Sequence, residues 1–158
     1  MKYHQIDSAL FIKNRVNFMA KMKPNSIAVF NSNDIYPISA DSTMPFQQHR
    51  DIYYLSGVDQ EESVLVMFPD APNKKHRELL FLKETNDHIA VWEGEKLTKE
   101  RALEVSGVKT VYWIHEMEKV MAELIGYISL LLKTAILFGF ILAIKFVLFL
   151  INNSESIC

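Results

Sequence analysis

At 158 residues the chain has room for one domain and a short appendage. Hydrophobic residues make up 49% and charged residues 23%, a globular balance that excludes a disordered or collagen-like chain. A formal net charge of −2 argues against nucleic acid as a partner, and a lone cysteine, Cys158, excludes an internal disulfide.

That average conceals a split. Residues 1–123 hold 15 of the 17 Lys/Arg and 18 of the 19 Asp/Glu, a net charge of −3. The remainder carries only Lys133, Lys145 and Glu155. The sequence therefore reads as an acidic domain followed by an apolar tail. Lys2, Asp7, Lys13 and Arg15 interrupt the first residues, so a secretory signal is not expected and a cytoplasmic location is.

In chain order, Ile6 to Met22 is an amphipathic helix, with Ile6, Leu10, Phe11, Phe18, Met19 and Met22 at roughly helical spacing. Pro24-Asn25 ends it, and Ser26 to Asn31 is a short strand rich in β-branched and aromatic residues. Asn31 to Asp34 is a turn. A rigid corner then runs from Tyr36 to Gly57. Two prolines fix φ there, Ser39 to Ser42 turns, Gln47 to Leu55 is helical, and Ser56-Gly57 supplies a left-handed stop. The corner carries Asp41, Arg50, Asp51, Tyr53 and Tyr54.

Glu62 to Phe68 and Arg77 to Lys83 are strands expected to pair as a hairpin across the loop Pro69 to Asn73. His88 to Trp92 reads as a further strand closed by Glu93-Gly94. Thr98 caps a helix that stops at Ser106-Gly107. Val108 to Trp113 is a strand and Ile114 to Ile125 a helix. Helices interspersed with strands predict a mixed sheet covered by helices.

The chemistry-bearing residues are sparse. Histidines at 4, 49, 76, 88 and 115 show no metal-ligand spacing, and no serine sits in G-x-S-x-G. Glu61-Glu62 reads as a solvated turn before a strand. Trp92 ends an apolar strand, where tryptophans usually pack in a core. The polar turn Glu93 to Lys96 leaves open that its indole stands at the rim of a site.

The run YPISADSTMPFQQHRDIYYLSG at 36–57 resembles a corner of the N-terminal domain of aminopeptidase P, the Xaa-Pro aminopeptidase of the creatinase/prolidase group. ESVLVMFPD, ELLFLK and AVWEGEKLT follow in that family's order, so the similarity spans residues 1 to about 124. The resemblance implies an α/β domain with a mixed β-sheet flanked by helices. It implies a place in a metallopeptidase that releases an N-terminal residue preceding proline. Two manganese ions would lie in a later catalytic domain, so no cofactor and no metal ligand is assigned within this chain.

Carried over by motif, Trp92 would reach towards the active site of a neighbouring subunit. Asp41 would stand near the same contact, both at the rim of a substrate pocket. Gln47 departs from the pattern, since many members have arginine there. The implied partners are a second copy or full-length family subunits, with peptide substrates only in the intact enzyme.

The tail departs further. Family members continue with a polar strand and helix, whereas this chain continues YISLLLKTAILFGFILAIKFVLFLI. These residues are mostly encoded by A/T-rich codons, as a frameshifted or truncated gene would give. The expected division is a domain at 1–124, an apolar helical tail at 125–151 and a polar end at 152–158. Without its catalytic domain the chain is expected to be inactive. The alternatives are a non-catalytic interaction module, or a tail-anchored membrane protein with a cytosolic head and a span through 134–151.

Overall fold

The computed structural model describes residues 5–40, 42–86 and 95–154; in the last helix, side chains at 132, 135 and 138–154 lie outside that description. The chain divides into two compact units, Met1–Lys119 and Val120–Cys158.

Helix α1 covers Ser8–Met19. Asp7 sets its start, because its carboxylate accepts the Ala9 N–H at 2.9 Å and satisfies an orphan donor of the first turn. The helix is shorter than the Ile6 to Met22 pattern and turned differently. Phe11 is buried, and Phe18, Met19 and Met22 pack on the core. Ile6 and Leu10 stay exposed, because the buried stripe passes through the polar residues Asn14 and Arg15 instead.

Four strands form the sheet: β1 (Ala28–Asn31), β4 (Val64–Met67), β5 (Glu78–Leu82) and β6 (Thr110–Trp113), in the order β1-β4-β5-β6. The first two pairings are antiparallel, with Ala28 opposite Met67 and Val64 opposite Phe81. The expected hairpin is therefore β4–β5. The last pairing is parallel, Leu79 opposite Thr110 through Leu82 opposite Trp113. A parallel pair needs a crossover; helix α3 (Lys99–Ser106) lies within it. The sheet is mixed and helix-covered, as the element order predicts.

One sheet face carries Leu65, Met67, Leu80 and Leu82. Ile52 and Leu55 from α2 (Arg50–Ser56), Ala102 from α3, and Val58 and Val108 complete that core. Val66, Leu79 and Phe81, on the opposite face, are also fully buried. Burial on both faces is why β4 and β5 read as continuous apolar runs rather than alternating strands.

The corner contains a feature that the turn residues alone do not announce. Residues on either side of the expected turn pair as a two-stranded ribbon, β2 (Pro37–Ser39) and β3 (Ser42–Thr43). Met44 N–H closes it onto Tyr36 C=O at 2.9 Å.

Beyond β6 a 3-10 turn at Ile114–Glu116 leads into helix α4, Met117–Ser154. Among the described residues no helix is long and apolar enough to cross a membrane. The span expected over 134–151 falls largely on side chains outside that description. The strand expected at His88 to Trp92 falls wholly outside it as well, within 87–94.

Candidate functional site

Three helices meet at one junction, and a sequence repeat builds it. Leu55-Ser56-Gly57-Val58 ends α2, and Val105-Ser106-Gly107-Val108 ends α3. Each glycine adopts the left-handed conformation, φ 68° at Gly57 and 71° at Gly107. Each serine hydroxyl donates to the carbonyl four residues back, Ile52 and Ala102, at 2.7 Å. The same hydroxyls accept the N–H of Val58 and Val108. The two turns thus redirect the chain identically into the core valines.

Helix α1 lies against both turns. A Cβ at Gly57 would stand 2.3 Å from the Phe11 ring, and one at Gly107 would stand 2.6 Å from Ile12 Cδ1. Arg15, with no exposed surface, donates from Nη1 to the carbonyls of Leu55 and Ser106, each at 2.8 Å. Its Nε donates to Glu78 Oε2 at 3.1 Å. One guanidinium therefore ties the last carbonyls of two helices to the start of β5. Burial pushes the Arg15 pKa down, and the Glu78 carboxylate, by charge and hydrogen bond, pushes it back up.

Beside this junction lies a cavity of about 560 Å³, within the range of small-ligand sites. Phe11 and Tyr53 form an aromatic wall, their rings edge-to-face at 6.3 Å. Gln60, Glu61, Lys96 and Arg101 also line it. Glu61 and Lys96 form a largely buried ion pair. Gln60 accepts the Leu97 N–H at 2.8 Å, and among the described residues its own buried amide nitrogen has no partner. Gln48 braces this loop, donating to the carbonyls of Gln60 at 2.8 Å and Val58 at 3.1 Å.

A second polar cluster joins α3 to the end of β6. Lys99 stands 4.7 Å above the Trp113 ring and 3.3 Å from Glu116. Glu116 also accepts the Trp113 N–H at 2.8 Å. That backbone bond first, and Lys99 next, hold the Glu116 carboxyl below its usual range.

The two rim residues expected from the sequence, Trp92 and Asp41, lie outside the described residues. Glu95 and Lys96, which follow the Trp92 segment directly, reach the cavity. The reading of Glu61-Glu62 as a solvated turn is corrected in half. Glu62 is exposed, but Glu61 is buried because Lys96 reaches back over 35 positions to neutralise it. Sequence reasoning missed Arg15, Gln48, Gln60 and Lys96. The one available signal was the repeated Ser-Gly-Val, whose two helix ends leave carbonyls that require a shared donor.

The cavity can bind, through an aromatic wall and paired charges. Among the described residues no three of His, Cys, Asp or Glu group as metal ligands, so these residues provide no donor set that fits a manganese pair.

Sheet order, crossover and three-helix junction define an α/β domain with a mixed sheet flanked by helices. The same architecture recurs in Escherichia coli aminopeptidase P in its low-pH form, with a TM-score of 0.68 and 26% identity over 77% of this chain and 27% of that one. Pseudomonas aeruginosa aminopeptidase PepP shares the fold at a TM-score of 0.69, over 76% of this chain and 27% of that one at 24% identity. The Xaa-Pro aminopeptidase of Haemophilus influenzae is 26% identical over 121 residues, covering 77% of this chain and 28% of the relative. The sequence model of the aminopeptidase P N-terminal domain matches residues 11–130, well over half the chain. The chain belongs to the aminopeptidase P N-terminal domain family. It spans little more than a quarter of the length of the curated relatives it matches.

Proposed function

We propose that this chain supplies the non-catalytic N-terminal domain of an Xaa-Pro aminopeptidase assembly. The family match over residues 11–130, on a fold shared with aminopeptidase P, carries this reading. Hydrolysis, and the two manganese ions that would activate water for it, belong to the catalytic domain of full-length subunits. Trp92 and Asp41 stand at the rim of a neighbouring subunit's substrate pocket. The assembly is cytoplasmic.

The β2–β3 ribbon supports the assembly role. Ile38 on it is 62% exposed, and Tyr36 and Met44, which close it, are 69% and 53% exposed. Apolar side chains grouped on an exposed ribbon mark an interaction surface. Ile38→Glu combined with Tyr36→Glu should reduce the oligomer to smaller species in sedimentation velocity. Both positions are exposed, so stability should change by only about 0.5 kcal/mol. An unchanged oligomer would remove the ribbon from the interface. In parallel, the pure chain supplied with Mn²⁺ should release no residue from an Xaa-Pro peptide. Metal-dependent release would place hydrolysis within this chain and refute the proposal.

A further inference from the structure

The domain is acidic as a whole, yet one end of it is strongly basic. The loop after α1 holds Lys21 and Lys23, and the β4–β5 loop holds Lys74, Lys75 and Arg77. Asp70 joins the two loops, accepting the Asn25 N–H at 2.7 Å. Five cations, a third of the 15 in residues 1–123, thus lie on two adjoining loops. All five are exposed, and among the described residues no carboxylate pairs with any of them. Elsewhere in the domain Arg15, Lys83, Lys96, Lys99 and Arg101 each have an acidic partner. Arg77 turns its Nε to the Ala71 carbonyl at 3.4 Å, and the 3-10 turn Lys74–His76, capped by Asn73, fixes the lysines on that loop.

We propose that this basic end docks on an anionic lipid surface. A nucleic acid is a poorer fit. Neither 20–25 nor 69–77 contains Phe, Tyr or Trp, so single-stranded bases have no platform to stack on. Two short loops also make no stripe along a duplex, and the acidic remainder of the domain repels a polyanion. A membrane meets one end only and leaves the acidic remainder in water. A polybasic patch alone holds a protein weakly, and stable attachment takes a second, apolar signal. The chain has one in sequence: Leu124 to Ile151 contains two lysines and no acidic residue.

The test uses the full chain and sedimentation with vesicles of phosphatidylcholine, with and without phosphatidylserine. Each Lys or Arg near an anionic leaflet strengthens partitioning by about fivefold. With Asp70 opposing them, the five should give at least about tenfold tighter binding to anionic vesicles, falling steeply as salt shortens the Debye length. Lys74→Glu with Lys75→Glu, and separately Lys21→Glu with Lys23→Glu, should each remove most of that preference. Binding to neutral vesicles, which reads the apolar segment alone, should not change. Lys109→Glu, an exposed lysine outside the two loops, should keep the preference. Equal binding to both vesicles overturns the proposal. So does a preference that survives both double variants or is lost equally in Lys109→Glu. Displacement by polyglutamate at concentrations matching the lipid would assign the surface to an acidic protein instead.

Discussion

A guanidinium with no exposed surface has lost its hydration and must recover that loss from its partners. Arg15 does so through Glu78 and the carbonyls of Leu55 and Ser106, while its buried Nη2 has no acceptor among the described residues. Removing it strands a half-buried carboxylate and two helix-end carbonyls together. Arg15→Ala should therefore lose about 3–5 kcal/mol in urea unfolding, the usual cost of breaking a buried pair from one side. Arg15→Lys should recover little of it, because a single ammonium cannot reproduce the planar fork that reaches three acceptors. A loss near 1 kcal/mol for Arg15→Ala would show that the junction does not rest on this residue. In the sequence Arg15 looks like one more charge on an amphipathic helix. Its burial depends on two helix ends 40 and 91 positions away, and no local pattern encodes that meeting.

At the scale of elements, local chemistry was the better guide. Thr98 caps α3 as expected, accepting the Arg101 N–H at 3.2 Å. Gly57 and Gly107 stop their helices in the left-handed conformation. Gly57→Ala should cost well beyond the roughly 1 kcal/mol of an unfavourable φ, because the new methyl also meets the Phe11 ring. Pairing it with Phe11→Leu should relieve the collision but not the backbone strain, and thermal melts of the single and double variants separate the two. Equal melting temperatures for Gly57→Ala and the parent would contradict the tight approach.

Glu116 gives this scale a pH signature. Its folded pKa lies below the ordinary 4.5, so its contribution is complete above that value and disappears as pH falls through the lower folded value. Glu116→Gln should cost about 1 kcal/mol at neutral pH, discounted for partial exposure, and the gap to the parent should close in acid. A gap that persists unchanged to pH 2 would mean that the carboxylate's charge is not what matters. The strands β4 and β5 were legible because both faces are buried and Val64–Met67 and residues 79–82 are apolar throughout. The β2–β3 ribbon was not. Pro37, Ser39, Ser42 and Thr43 carry no alternating pattern, and their pairing follows from turn geometry around Ala40, at φ 46°.

At the scale of the whole molecule, the resemblance on the corner and the order of motifs was enough to place the chain in its family, and the shared fold agrees. The rim residues came by motif transfer alone, and Trp92 and Asp41 fall outside the described residues. The role proposed for them would belong to an assembly rather than to this domain, so its test lies there. Joined to full-length subunits, Trp92→Ala should impair cleavage of longer peptides more than dipeptides, since a rim aromatic touches substrate remote from the scissile bond. Equal loss for both lengths, with a lowered melting temperature, would return Trp92 to the core.

The most direct measurement is native mass spectrometry of this chain mixed with a full-length Xaa-Pro aminopeptidase subunit and allowed to exchange. A domain that assembles with catalytic subunits predicts mixed oligomers containing both chains, and fewer of them for the Tyr36→Glu, Ile38→Glu variant. Only separate populations of each chain, with both correctly folded, would contradict the account.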